Sequence, residues 1–417
     1  LPRQPYGLPR NDGYFQFGGN VYNRPMEETS LPGAYQQRLD AIRAADQWRA
    51  RREMQRHEDG TVTLEDGRRL INFSDNDYLG LSFHYAVVQA AQQAAAYYGT
   101  GAGAARLVTG SHPLYAELER ALATFKGTED ALIFGSGYLM NMGVVPALVG
   151  AGDLILADKL IHASLVDAMR LSGADFIRFR HNDADHAKEL LEKKRKDYQQ
   201  CLILTEGVFS MDGDLPPLAE LCTLAEAHDS LLLLDDAHGF GVLAEGKGTA
   251  AALGVTPKPY LLQLGTLSKA LGAYGGYFCG SKAWVEYFIH HARTAIYTTA
   301  LPPATLAAAL AGLHVIQQAP ERTAMPLTYA RYFCENLGLP EPSSPIVPVM
   351  VGESDAAIHM ANKLEDAGFL TIAIRPPTVP PGKARLRVTF SASHSRQQVD
   401  ALIKAFEEHK LSYSQFG

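Results

Sequence analysis

Six short apolar runs set the strongest constraint on what this chain can become. They are Ala131–Phe134, Leu154–Ala157, Phe176–Phe179, Leu202–Thr205, Leu231–Leu234 and Leu261–Leu264. None alternates apolar with polar in the manner of a strand with one wet face. Helical stretches separate them, between about Ser82 and Ile316. Strands apolar on both faces need cover on both faces, and helices lying between them are the crossovers of a mostly parallel sheet. Ligands of such sheets bind beyond the carboxyl ends of the strands. Chemistry is therefore sought in the residues that follow each run.

The pattern changes on either side of this block. From about Ala319, Ile346–Val351 reads as a strand and Ala356–Gly368 as a helix. Phe369–Ile374 and Ala384–Phe390 read as strands before a terminal helix from Arg396, which makes a smaller α+β lobe. Upstream, Leu39, Ile42, Ala45 and Trp48 recur three apart and predict a helix from Tyr35 to Arg56. Thr61–Arg68 reads as a hairpin turning at Asp66-Gly67. Residues 1–25, rich in Pro, Gly, Tyr and Asn, show no period and read as a leader or extension, with Met26 as the natural start. The expected division is a segment over 26–80, a large domain over 81–316 and a small C-terminal domain over 317–417.

Composition narrows the partners. Of 417 residues 47% are hydrophobic, enough for a large core. The formal charge of −7 argues against nucleic acid and anionic membrane, which demand a basic footprint. The strongest basic run, Lys193-Lys194-Arg195-Lys196, sits between Glu192 and Asp197 and reads as a solvated helix face. No apolar stretch approaches the ~20 residues that span a bilayer. Four cysteines without a C-x-x-C pair suit a reducing, cytoplasmic setting.

The strand ends carry the chemistry. Leu231–Leu234 is followed by Asp235-Asp236-Ala237-His238-Gly239, and adjacent buried acids are costly unless paired. Leu261–Leu264 is followed by Gly265-Thr266-Leu267-Ser268-Lys269 and a glycine-rich stretch. A lysine held among small residues and hydroxyls suits Schiff-base chemistry, which needs a depressed amine pKa. D-x-x-H paired with a later T-x-x-K, both at strand ends, is the layout expected for pyridoxal phosphate: a carboxylate for the pyridine nitrogen and a lysine for the aldehyde. Gly135-Ser136-Gly137-Tyr138 opens a helix whose N–H groups suit a phosphate, or else forms a simple tight turn. His162, past Leu154–Ala157, suits stacking on a ring, or else is a structural histidine. Ser210 is placed to hydrogen-bond a cofactor oxygen. Metal signals are weak: Asp212 and Asp214 lack the other calcium-loop ligands, and His290-His291 lack ligand spacing. Gly99, Gly101 and Gly103 do not complete G-x-G-x-x-G, because Arg106 stands at the third glycine.

Ser74-Asp75-Asn76-Asp77-Tyr78-Leu79-Gly80, the Thr205–Asp214 phrase, Asp235–Gly239, Thr266–Lys269 and Tyr297-Thr298-Thr299-Ala300-Leu301-Pro302-Pro303 together resemble the α-oxoamine synthases. These are fold-type I pyridoxal-phosphate enzymes that condense an amino acid with an acyl thioester and release carbon dioxide. The resemblance runs from about Gln36 to Glu408. His181-Asn182-Asp183, Ile374–Pro380 and Ala384–Arg387 resemble the branch that serves biotin synthesis. That branch implies L-alanine and a pimeloyl thioester, of coenzyme A or a carrier protein, as substrates, and a homodimer as the assembly. Sister reactions with glycine or serine and other acyl groups stay open, as does a simple aminotransferase. A scaffold subunit without activity is disfavoured because Lys269 and its partners are present.

By this resemblance Lys269 is the Schiff-base lysine, Asp235 faces the pyridine nitrogen, His238 the ring hydroxyl, and His162 stacks on the ring. Gly137, Tyr138, Ser210 and Thr266 contact the cofactor, and Thr298 reaches the phosphate of the opposite subunit. Arg387 binds the amino-acid carboxylate, Asn76 and His162 also bind substrate, and Arg49 and Thr378 serve the acyl side. Two residues depart from the family pattern: Asp236, where Glu is frequent, and Tyr138, where biotin-branch relatives often carry Phe.

Overall fold

A computed structural model of the chain describes residues 32–44, 48 and 51–408. The leader assigned to residues 1–25, the start at Met26 and the acyl-side role of Arg49 all lie outside these residues. The chain divides into two compact units, one ending at Glu53 and one beginning at Met54. The first contains the helix Gly33–Ala44. The helix predicted to run to Arg56 is therefore shorter. Met54–Arg56 is instead strand β1, because its backbone pairs antiparallel with Val62–Leu64.

In the second unit β2 (Thr61–Leu64) and β3 (Arg69–Asn72) form the expected hairpin, with Gly67 at φ 84° completing its turn. The large sheet has seven strands: β4 (Asp130–Phe134), β5 (Leu154–Asp158), β6 (Asp175–Phe179), β7 (Cys201–Glu206), β8 (Leu231–Asp235), β9 (Leu261–Thr266) and β10 (Gly276–Gly280). Their order is β4-β10-β9-β8-β7-β5-β6. All six predicted runs are strands. Neighbours from β6 to β9 pair in parallel, whereas β10 is antiparallel to both β4 and β9. Strand β10 was not expected, because glycines bracket its three other residues. One of them is required: Ser136 O lies 2.6 Å from where a Cβ of Gly276 would stand.

Burial confirms cover on both faces for β5, β7 and β8, whereas β6, at the edge of the sheet, leaves Phe176 exposed. Ile155, Leu202, Leu204 and Leu233 enter one core, and Leu156, Ile203, Leu232 and Leu234 enter another. Alternate residues of one strand thus serve opposite layers.

Two smaller sheets complete the unit. Strand β11 (Ile346–Gly352) pairs with β14 (Ala384–Thr389), as does β13 (Ile372–Ile374), while β12 (Phe369–Leu370) pairs in parallel with β3. The predicted strand Phe369–Ile374 is thus divided at Thr371 between two sheets. Phe73, following β3, packs with Phe369 and Phe390 in the same core as the terminal helix Arg396–Glu408. All four cysteines are free and buried. Among the described residues no helix is long and apolar enough to cross a membrane.

Candidate active site

Parallel strands deliver their last residues to one edge. Glu206 at the end of β7 stands opposite Asp235 at the end of β8, and Asp235 stands opposite Leu264 of β9. Lys269 lies three residues past β9. Its Nζ is 2.7 Å from His238 Nε2, and His238 Nδ1 is 2.5 Å from the Tyr78 hydroxyl. Burial lowers the Lys269 amine to about 8, against the opposing pull of Asp235 and Glu206. Burial, helped by the charges of Lys269 and Arg387, pushes His238 well below the usual imidazole range, so the ring is neutral.

Asp235 Oδ2 accepts from Asn141 Nδ2 at 2.8 Å, and its Oδ1 accepts from the N–H of Ala237 at 3.1 Å. Asn141 also donates to Ser164 Oγ at 3.0 Å, and that hydroxyl is 2.7 Å from His162 Nδ1. The backbone N–H of His162 donates to the Glu206 carboxylate. His162 caps the helix Ala163–Ser172, and its ring lies open to the cleft. Desolvation, then the Lys269 charge, lowers its basicity against the pull of Asp235. Burial, reinforced by Asp235, holds Glu206 well above the usual carboxylate range.

The adjacent acid is turned the other way. Asp236 accepts from the Thr249 N–H at 3.0 Å and from its hydroxyl at 2.6 Å, with Lys126 Nζ at 3.6 Å. Its carboxylate fills a cage of bare backbone: a Cβ on Gly239 would stand 2.2 Å from Oδ1, and one on Gly248 1.9 Å from Oδ2. The pair of acids thus serves two purposes. Asp235 faces the cleft and Asp236 anchors the following turn.

Gly137 opens the helix Gly137–Leu148, which Ser136 caps by accepting from the Leu139 N–H. Thr266 lies alongside, its Cβ 3.5 Å from where a Cβ of Gly137 would be, and its hydroxyl 2.7 Å from Ser268 Oγ. Thr298 of the same chain flanks this turn, its Cγ2 3.4 Å from the corresponding position on Gly135. Tyr138 is half-exposed and donates to Asp167.

Arg387 on β14 reaches the cleft from the small sheet. Its Nε donates to Ser210 O at 2.6 Å, one Nη to Thr389 Oγ1 at 3.1 Å and the other to Asn76 Oδ1 at 3.0 Å. The structure therefore brings together Lys269, Asp235, His238 and His162 in one cluster. Gly137, Tyr138, Thr266 and Thr298 gather about one helix start, and Ser210, Asn76 and Arg387 line the opposite wall. Thr378 stands apart, exposed on the loop after β13, its N–H donating to Arg375 O at 3.0 Å. That loop contains a cis peptide between Pro376 and Pro377.

Sequence reasoning assigned no role to Glu206, Asn141, Ser164 or Tyr78. Asn141 alone carried a signal: one amide in an otherwise apolar helix must find a partner when buried.

Known proteins give the same arrangement a context. The family model "Aminotransferase class I and II" matches residues 68–406. An 8-amino-7-oxononanoate synthase of Methylocella silvestris is 55% identical over 345 residues, covering 83% of this chain and 98% of the relative. One of Maricaulis maris is 53% identical, covering 82% and 87%. Among solved structures, a serine palmitoyltransferase of S. paucimobilis with bound PLP superposes with a TM-score of 0.84 at 27% identity, covering 91% and 98%. An 8-amino-7-oxononanoate synthase of Francisella tularensis gives 0.70 at 30% identity, covering 83% and 99%.

Proposed function

The chain belongs to the class I and II aminotransferase family and, within it, to the 8-amino-7-oxononanoate synthases, and from that premise we propose that it condenses L-alanine with a pimeloyl thioester. The products are 8-amino-7-oxononanoate, carbon dioxide and the free thiol, a step of biotin synthesis. The observation that carries this reading is the buried Lys269 amine against His238, with Asp235 at the neighbouring strand end.

The donor set fits pyridoxal phosphate. Lys269 offers an amine half neutral near pH 8 for the aldehyde, Asp235 a carboxylate for the ring nitrogen, and His238 a neutral imidazole for the ring hydroxyl. The start of the Gly137 helix, with Thr266, suits the phosphate, and Thr298 is assigned to the phosphate of the opposite subunit. When bound, this cofactor supplies an electron sink for the bond broken at the amino-acid Cα.

The chain's own residues do the rest. Arg387 receives the alanine carboxylate, exchanging its bond to Asn76 for a charge-assisted one, and so orients the Cα–H bond. Lys269 Nζ, once free, takes the α-proton as general base. His162 covers one face of the ring, held by Ser164. Ser210 and Tyr138 would help to hold the cofactor. Arg49 and Thr378 serve the acyl chain. The protein acts as a homodimer in the cytoplasm, with residues 81–316 as the cofactor domain, 317–417 as the small domain and 26–80 as the N-terminal segment.

The test is a product assay. The purified protein, supplied with pyridoxal phosphate, is offered alanine, glycine or serine with pimeloyl, acetyl or palmitoyl thioesters, and products are identified by mass. Alanine with a pimeloyl thioester is the expected pair. Preference for glycine with a short acyl group, or for serine with palmitoyl, overturns the assignment in favour of a sister reaction.

A further inference from the structure

Asn141, the one amide of the helix Gly137–Leu148, is 1% exposed and has no role in the reading above. It stands between two groups assigned to the cofactor: Asp235 at the end of β8 and His162 at the start of the helix Ala163–Ser172. Both hydrogens of its Nδ2 are engaged, one by Asp235 Oδ2 at 2.8 Å and one by Ser164 Oγ at 3.0 Å. A carboxylate only accepts, so the amide must turn its nitrogen and not its oxygen toward Asp235. Its Oδ1 is buried and has no partner among the described residues. The amide is held by its two donors alone.

From Asn141 the bonds run in one direction. Ser164 Oγ receives an amide hydrogen and keeps its own to give, and His162 Nδ1 lies 2.7 Å away. The backbone N–H of Ser164 reaches the same nitrogen at 3.2 Å, and a peptide N–H can only donate. An Nδ1 that accepts leaves the single proton of a neutral imidazole on Nε2. We propose that Asn141 and Ser164 are positioning residues that couple Asp235 to His162 and hold the imidazole neutral in its Nε2–H form. No bond of this chain involves Lys269, so its direction is independent of the charge on that amine. The role in turnover rests on the functional reading above; the direction of the bonds does not.

An imidazolium would carry a hydrogen on Nδ1 against two donors, so both bonds oppose it. That suits a ring assigned to stack on the cofactor. Asp235 favours a positive charge at the pyridine nitrogen, and a second cation laid over that ring would work against the first. Nε2–H then presents a donor to the cleft, where His162 is assigned to substrate as well. Burial and the charge of Lys269 also disfavour the imidazolium, whereas Asp235 and Asp167 favour it. Glu206, which receives the His162 backbone N–H, is held toward its neutral form by burial. None of these groups is altered in a Ser164 variant.

The experiment reads the ring nitrogens directly. Histidines labelled with ¹⁵N are titrated between about pH 5 and 9, in the cofactor-free and pyridoxal-phosphate-loaded protein. Comparison with His162→Asn assigns His162 among the 14 histidines. Neutral His162 of the wild type should be protonated on Nε2, with Nδ1 bare. Ser164→Ala removes the nearer donor to Nδ1 and should raise the proton affinity of His162 about fivefold in the cofactor-free protein. Asn141→Leu should move it the same way. The double variant should match Ser164→Ala within about twofold, because Asn141 acts on the ring through that hydroxyl. A wild-type His162 protonated on Nδ1 overturns the proposal without any variant having to fold. So does an unchanged titration in Ser164→Ala, or a double variant whose shift is the sum of the two single ones. Absence of 8-amino-7-oxononanoate in the wild-type assay would strike the functional reading alone and leave the titrations intact.

Discussion

At the scale of single residues, the site is a set of charges whose proton affinities are set by burial. Lys269 at about 8 is the most consequential. A solvated lysine near ~10.4 would hold its proton through the whole neutral range. Here roughly a tenth of the amine is neutral at pH 7 and about half at pH 8. Capture of pyridoxal phosphate by the cofactor-free protein should therefore speed up about fivefold from pH 7 to 8 and level off above pH ~9. Stopped-flow absorbance measures this; a rate still climbing tenfold per unit at pH 10 would show an unperturbed amine. Asp235→Asn keeps the size and the Asn141 contact but loses the charge assigned to the cofactor nitrogen. It should still bind cofactor, while exchange of the alanine α-proton with deuterated water falls about 100-fold. Wild-type exchange in this variant would remove Asp235 from the assigned role. Asp235, His238 and Lys269 were legible because their types and spacings are tied to one chemistry. Glu206, Ser164 and Tyr78 were not, because they act through neighbours that only the fold brings near.

At the scale of elements, strand ends place side chains and loops must be held to meet them. His181, after β6, bridges Asp158 at the end of β5 (3.0 Å) and Asp214 in the loop after β7 (2.8 Å). Its edge meets Phe209 at 90°, and Asn182 at φ 53° adds a bond from its side chain to Asp214 at 2.9 Å. Burial works against the imidazolium, but the two carboxylates prevail and raise it to about 10. Against ~6.5 in the unfolded chain, the stabilisation is complete below pH ~6.5 and is lost as pH rises through 10. His181→Gln leaves the fully buried Asp158 without its cation and should cost about 3 kcal/mol at pH 6. Urea midpoints of variant and wild type should converge toward pH 10. A gap that stays constant over that range would mean His181 acts through shape and not charge. The six strands of the sheet were readable because their apolar runs answer to a simple demand for cover. Strand β10 and the break at Thr371 were not, because each depends on partners distant in sequence. The helix predicted to Arg56 failed for the same reason: its last residues satisfy their backbone by pairing with β2.

At the scale of the whole second unit, the small sheet and the large one meet at the cleft through β14. Arg385 and Arg387 are two apart on that strand and so project to one side. Both are buried and both grip the segment after β7: Arg387 holds Ser210 O, while Arg385 holds Met211 O and the Asp212 carboxylate. Gly213 allows this approach, since at φ +72° it leaves room for Ile346 O of β11. The arginine assigned to the substrate carboxylate is thus oriented by a segment that its neighbour pins. Arg385→Gln removes the pin without touching Lys269, Asp235 or His238. Asp212 is partly solvated and can be hydrated when its partner is gone. The expected result is a KM for alanine raised about tenfold with kcat within about threefold, the signature of weakened uniform binding. Asp212→Asn should reproduce it, because both variants break one contact. The double variant should then be no worse than either single one. Additive losses would mean that the two residues act independently, and that Arg387 is positioned by its own bonds to Ser210, Thr389 and Asn76.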